Sequence, residues 1–201
     1  MKPIIMSTED VRALLDGRKT MARQVVKPQP YYFYNCVQGE PKPVRGERLG
    51  AVMPDKTDAW ITSPYKPGDV LWVREKFNFD EAGEYLYAAD EDFIQFGIKR
   101  VGDFYYSESE IKWRPSIHMP REAARLFLRV TDVRVERVQD ISEKDAKAEG
   151  VYAKDNGSGS AYRSGYRELW NKLNKKRGHD WYTNDWVWVI EFERIEKGGK
   201  S

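Results

Sequence analysis

Two long stretches lie in the second half of the chain: RLFLRVTDVRVERV at 125–138 alternates apolar and polar residues, and WVWVIEFERI at 186–195 starts as an apolar run and then alternates. Alternation of period two over such lengths predicts β-strands, so the fold must supply a sheet in which both can lie. In the first stretch the apolar phase moves from Leu126, Leu128 and Val130 to Val133 and Val135. That shift predicts a bulge near Thr131 and Asp132, a feature common where a sheet curls. The second stretch begins apolar on both faces and becomes one-sided toward its end.

The remaining pattern is arranged around these strands. PIIM at 3–6 is a short apolar run, and Ser7 with Asp10 three positions on makes a capping box. Val11, Leu14 and Leu15 then recur at helical spacing until Gly17, a natural stop. Pro67, Gly68 and Asp69 form a turn into the strand VLWVRE, for which EYLYAA at 84–89 is the expected antiparallel partner. SEKDAKAEG at 142–150 is a second capped helix, and Tyr162, Tyr166, Leu169, Trp170 and Leu173 stripe a third that Gly178 closes. Irregular insertions are expected around 35–60, 90–121 and 153–160, and a loose tail at 198–201. About five or six strands, three helices and no βαβ rhythm predict an α+β fold, a small mixed β-barrel with flanking helices and long inserted loops, in one domain over 1–197.

Composition excludes several classes. Lys plus Arg (34) nearly balances Asp plus Glu (32), so any contact with nucleic acid must be local. One cysteine, Cys36, and two histidines, His118 and His179, leave no disulfide framework and no ordinary zinc constellation. Neither metal nor cofactor is expected. No apolar run reaches signal-peptide or membrane-spanning length, which predicts a cytoplasmic protein with no membrane partner. Monomer and dimer both remain open.

Within GRKTMARQVVK, the cations Arg18, Lys19, Arg23 and Lys27 occupy ten positions without an acid. A solvated face explains them, helped by the favourable position of cations beyond a helix C-terminus. The functional alternative is a cradle for phosphate or nucleic acid, in which the crowded Lys19 is a candidate base. Glu149 sits where the second helix ends and opposes its macrodipole, at a cost of roughly 0.3–1 kcal/mol for an exposed site. Helix stability alone would not select it; a solvated glutamate is the plain reading, and the functional one is a pocket carboxyl that shuttles a proton or pairs with Lys19. Among the aromatics, Trp72, Tyr85, Tyr87 and Trp113 lie beside loops and are candidates to stack on a base. His118 has no nucleophile partner, and a structural role is expected of it.

GRKT after the first helix, PGDVLWVRE, ISEKDAKAEG, WRPSIHMPR and the closing WVWVIEF together resemble the ASCH domain of the PUA-like superfamily, in its longer phage and prophage form, from Lys2 to Ile195. The resemblance implies a small β-barrel whose cleft binds RNA or a nucleoside. It also implies, from smaller members, an amidohydrolase of N4-acetylcytidine that uses a Lys in the GRKT element, a Thr three positions later and a helix Glu. Carried onto this chain, Lys19 is the base, Glu149 the acid or positioning group, and the Thr nucleophile position holds Ala22. Arg18, Thr20, Arg23, Arg74 and Trp72 are the candidate substrate contacts. A methyl cannot attack an amide. Two explanations stand level: an inactivated variant of an enzyme that naturally carries threonine, or a binder that keeps the cleft without the reaction. Thr20 or water acting in another geometry is a third. On the enzyme scheme Ala22→Thr gains cleavage of N4-acylated cytidine. The alternatives in other classes are a non-catalytic RNA-binding module of phage origin and a ribonuclease.

Overall fold

The computed structural model describes residues 1–33, 44–45, 48–95, 98–102, 104–107, 111–154 and 161–196. In chain order the first elements are β1 (Lys2–Ile5), α1 (Thr8–Leu15), β2 (Met21–Val25), β3 (Tyr32–Phe33), β4 (Val44–Arg45), β5 (Arg48–Val52), β6 (Asp58–Thr62), β7 (Val70–Arg74), β8 (Phe77–Phe79) and β9 (Tyr85–Tyr87). There follow β10 (Glu91–Gln95), β11 (Ile98–Val101), β12 (Phe104–Ser107), β13 (Phe127–Arg137), α2 (Glu143–Ala148), α3 (Ala161–Asn174) and β14 (Trp186–Ile195). The fold is α+β, mostly strands. Among the described residues the sheets are open paths and do not close into a barrel.

The residues group into two compact units, one of Met1–Gly17, Val70–Leu128 and Arg194–Ser201, the other of Arg18–Asp69 and Arg129–Glu193. In the first unit β1 runs parallel to β7, with Lys2 opposite Leu71 and Ile4 opposite Val73. Ser7 caps α1 in a reciprocal capping box with Asp10, as its spacing predicts, and Gly17 follows with φ 70°. Arg12 of α1 donates to the carbonyls of Ala89 and Glu91 at 2.9 and 2.7 Å. Trp72, Phe77, Met119, Ala123, Ala124 and Phe127 form the apolar cluster, with Tyr85 and Tyr87 packed against it. Burial raises the Glu75 carboxyl above its ordinary pKa, although Arg125 grips it with two nitrogens at 2.9 and 3.0 Å.

In the second unit the strand order is β2, β14, β13, with β4 also on β13. β2 and β14 are antiparallel, with Ala22 opposite Ile190 and Gln24 opposite Trp188. Side chains alternate between the faces of such a sheet. Met21 and Val25 of β2 and Val187 and Val189 of β14 join Tyr166 and Trp170 of α3 in one core, together with Val138, Ile141, Ala146 and Trp181. The other face of β14 carries Trp186 and Trp188, with the Phe33 ring 5.2 and 6.5 Å away, centroid to centroid.

Several expectations are corrected. β9 pairs with β8, Phe77 opposite Tyr87, so EYLYAA is not the partner of the VLWVRE strand. Within the insertion expected at 35–60, β5 and β6 form a hairpin, Gly50 opposite Trp60, and β3 adds to it. Within that expected at 90–121, β10, β11 and β12 make a three-stranded antiparallel sheet. β13 is one unbroken strand whose change of buried phase falls at Thr131 and Asp132. The α3 stripe is narrower than its spacing suggests, since Tyr166 and Trp170 are buried but Leu173 is 38 % exposed. Cys36, most of the 153–160 insertion and the 198–201 tail lie outside the described residues. No described helix is long and apolar enough to cross a membrane.

Trp170→Ala removes a large buried ring and is expected to cost about 3–5 kcal/mol in urea denaturation. Leu173→Ala, on the same helix, is expected to stay within about 0.5 kcal/mol.

Candidate functional site

The segment between α1 and β2 is extended and pinned by backbone bonds within the second unit. Thr20 donates its N–H to the Ala148 carbonyl at 2.9 Å and accepts from Phe192 N–H at 3.0 Å. Lys19 and Glu149 form an antiparallel bridge, so the start of β2 lies beside the end of α2. Two local signals fix where α2 ends. Ser142 accepts the Asp145 N–H at its N-terminus, and Gly150 adopts φ 85°, a left-handed conformation that would strain a side-chain-bearing residue. Glu149, the last residue before that glycine, is thereby delivered to the face that carries Met21 and Arg23.

There the structure assembles a buried ionic cluster. Lys19 Nζ donates to Glu149 Oε2 at 2.8 Å and to the Glu149 carbonyl at 3.0 Å. Arg23 donates from Nη1 to Glu149 Oε1 at 2.9 Å, and from Nη2 and Nε to Glu136 Oε1 at 2.5 and 3.2 Å. Arg23 Nη2 also reaches Asp145 Oδ2 at 3.3 Å. Arg134 of β13 donates to Asp145 at 3.0 Å, to Glu136 at 3.4 Å and, in a short contact, to Glu191 of β14. The Lys19 and Glu149 side chains are each 3 % exposed and that of Arg23 is 0 %. The guanidinium of Arg23 lies 5.7 Å over the Tyr166 ring, so the cluster rests directly on the α3 core.

The electrostatics follow from this packing. Burial opposes the charge on Arg23, but Glu149, Tyr166 and Glu136 outweigh it and hold the guanidinium above its ordinary pKa. Arg134 behaves alike: burial lowers it, while Glu136, Glu191 and Asp145 prevail. Each oxygen of Glu149 accepts from a cation and the Lys19 ammonium donates twice to Glu149. In this arrangement the Lys19 amine is engaged by Glu149 through both its carboxylate and its carbonyl. The pair acts as a clamp joining β2 to α2. Among the described residues, no group of three or more His, Cys, Asp or Glu is placed to hold a metal ion.

Lys19, Arg23 and Glu149, singled out in the sequence, are thus brought together across more than 120 positions. Ala22 is not brought to them. Its strand neighbours Met21 and Arg23 face the ionic cluster, so alternation turns the Ala22 methyl to the opposite face, alongside Ile190 of β14. Thr20 is exposed and engaged through its backbone. Arg18 lies 4.3 Å over the Tyr152 ring and donates, in a short contact, to the Gly150 carbonyl. Trp72 and Arg74 belong to the first unit, where Trp72 is a core residue, Arg74 lies 5.3 Å over its ring and the guanidinium donates to the Ile117 carbonyl. Tyr85 and Tyr87 pack into the same core, and the Tyr87 hydroxyl donates to the Ala123 carbonyl at 2.7 Å.

Arg134, Glu136, Asp145 and Glu191 escaped the sequence reading. Arg134 and Glu136 alternate with Val133 and Val135 as the polar face of an ordinary half-buried strand would, so nothing local in the sequence marks their burial.

Arg23→Met leaves Glu149 and Glu136 each short of a cation in a buried setting. The expected loss is about 3–5 kcal/mol of unfolding free energy, measured by urea denaturation, and a loss below about 1 kcal/mol would contradict the clamp. Searches of protein-family models, curated proteins and solved structures found no match to this chain.

Proposed function

We propose that this chain is a PUA-like protein of the ASCH kind which binds a modified cytosine nucleoside or RNA without hydrolysing it. One observation carries the reading. The two residues that the resemblance assigns to the site, Lys19 and Glu149, meet at 2.8 Å, while the position of the nucleophile bears a methyl turned to the other face of β2. Loss of a nucleophile costs on the order of a million-fold in kcat in a protease, so retained scaffolding with no hydroxyl supports recognition rather than turnover. The strand geometry goes further than the missing hydroxyl. A threonine at 22 would also face away from Lys19, so restoring it is not expected to restore chemistry by the amidohydrolase route.

The test is calorimetric titration of the protein with N4-acetylcytidine, cytidine and a short cytidine-containing RNA, alongside chromatography for free acetate and for cleaved RNA. Expected is saturable binding of at least one of these, no acetate from the native chain or from Ala22→Thr, and intact RNA. Binding of the oligomer alone, with affinity falling as salt rises, assigns the polymer as ligand. Acetate release by either protein, or cut RNA, would establish an enzyme. Failure to bind any of the three ligands would remove the reading altogether.

A further inference from the structure

Resting on the proposal of a nucleobase ligand, we infer that Tyr152 is the platform on which the base stacks and that Arg18 holds the ring in place. Tyr152 is 71 % exposed, as are Tyr31, Trp60 and Tyr182 to a similar degree in the same unit, and among these rings it is the one whose segment continues directly from Glu149. Its neighbour Val151 packs against the α3 core, so the chain at this point sends one side chain inward and the next outward.

Three features fix the ring where it is. Arg18 lies over it with the guanidinium carbon 4.3 Å from the centroid. The same guanidinium donates to the Gly150 carbonyl, so it is tied down at both ends. The third feature lies in α3. A Cβ at Gly165 would fall 2.6 Å from the Tyr152 carbonyl oxygen and 3.6 Å from a Val151 methyl. A glycine inside a helix costs about 1 kcal/mol relative to alanine, and here it permits the Tyr152 backbone to lie directly against α3. The residue is therefore packed against α3 at the backbone and braced by Arg18 at the ring, with most of its side chain in water.

The placement is also specific. Lys19 and Glu149 form the bridge between β2 and the end of α2, Arg18 is the residue before Lys19, and Tyr152 lies three residues beyond Glu149. The ring and its cation are thus mounted on the same bridge as the pair to which the proposed function points. A cation on one side of an aromatic ring and a planar base on the other is a stack that every base can join, because it contacts the π-face and not the hydrogen-bonding edge. Discrimination of an acylated from a plain cytosine must then come from other contacts.

The experiment measures dissociation constants of N4-acetylcytidine, cytidine and uridine, and of a short RNA, for the native chain, Tyr152→Phe and Tyr152→Ala, with thermal denaturation in parallel. Expected for Tyr152→Ala is a weakening of roughly 5- to 100-fold, by the same factor for each nucleoside that binds, with little change in melting temperature. Tyr152→Phe should bind within about two-fold of native. If the native chain binds and Tyr152→Ala binds equally well, or loses affinity only in proportion to lost stability, the stacking role is overturned while the proposed function stands. If the native chain binds none of the ligands, both fall together.

Discussion

A cation buried in a protein interior is tolerated only where carboxylates replace the water it has lost, and the second unit is organised by that requirement. Arg23 projects from β2 into the space between the sheet and α3, and Glu149, Glu136 and Asp145 converge on it from the end of α2, from β13 and from within α2. Lys19 shares Glu149 with it, and Arg134 shares Glu136 and Asp145. Each carboxylate therefore belongs to more than one cation, and no single contact can be relaxed without disturbing its neighbours. Such a cluster adds little net stability over an apolar core of the same shape, yet it allows only one mutual placement of β2, β13 and α2. Its value lies in geometry: it sets where the 17–20 segment and the 149–152 segment run past each other.

That constraint bears directly on chemistry. Lys19, Met21 and Arg23 are drawn toward the cluster, and the pleat then commits Ala22 to the opposite face with Trp188 and Ile190 of β14 as its strand neighbours. A lysine whose ammonium donates to the carboxylate and the carbonyl of Glu149, and a nucleophile position aimed elsewhere, do not present the geometry of the amidohydrolase scheme. What the same two segments present outward is a braced aromatic ring and a guanidinium, groups suited to holding a flat ligand. The proposed binding without turnover rests on one packing decision in the interior of the unit.

Much of this was legible from residue order. The Ser7 box, the glycine stops at 17 and 150, the strand after Pro67-Gly68-Asp69 and the long β13 and β14 all rest on local chemistry that tertiary contacts reinforce. Glu149 stood out for a different reason: an acid at a helix C-terminus is locally unfavourable, which singles it out without saying whether it is solvated or paired. What could not be read were pairings that depend on the rest of the fold. The β5–β6 hairpin hides in a stretch rich in proline and glycine because the buried residues of its strands, Leu49, Ala51, Val52 and Ile61, do not mark a clean period. EYLYAA pairs with β8 because Phe77 and Phe79 lie nearest along the chain, and alternation alone does not say which neighbour a strand takes. Tyr152 stood in a segment with no pattern at all, and its bracing arises from Arg18 and from the backbone approach to Gly165.

The claim at the centre is that Lys19 and Glu149 form a buried pair that ties β2 to α2. A double-mutant cycle on Lys19→Met and Glu149→Leu, followed by urea denaturation, reads that coupling directly. The clamp predicts that the two losses are far from additive, with a coupling energy above about 1 kcal/mol and the double variant more stable than the sum implies. Additivity within about 0.5 kcal/mol would mean that the two side chains do not meet in solution, and the account built on their meeting would fail.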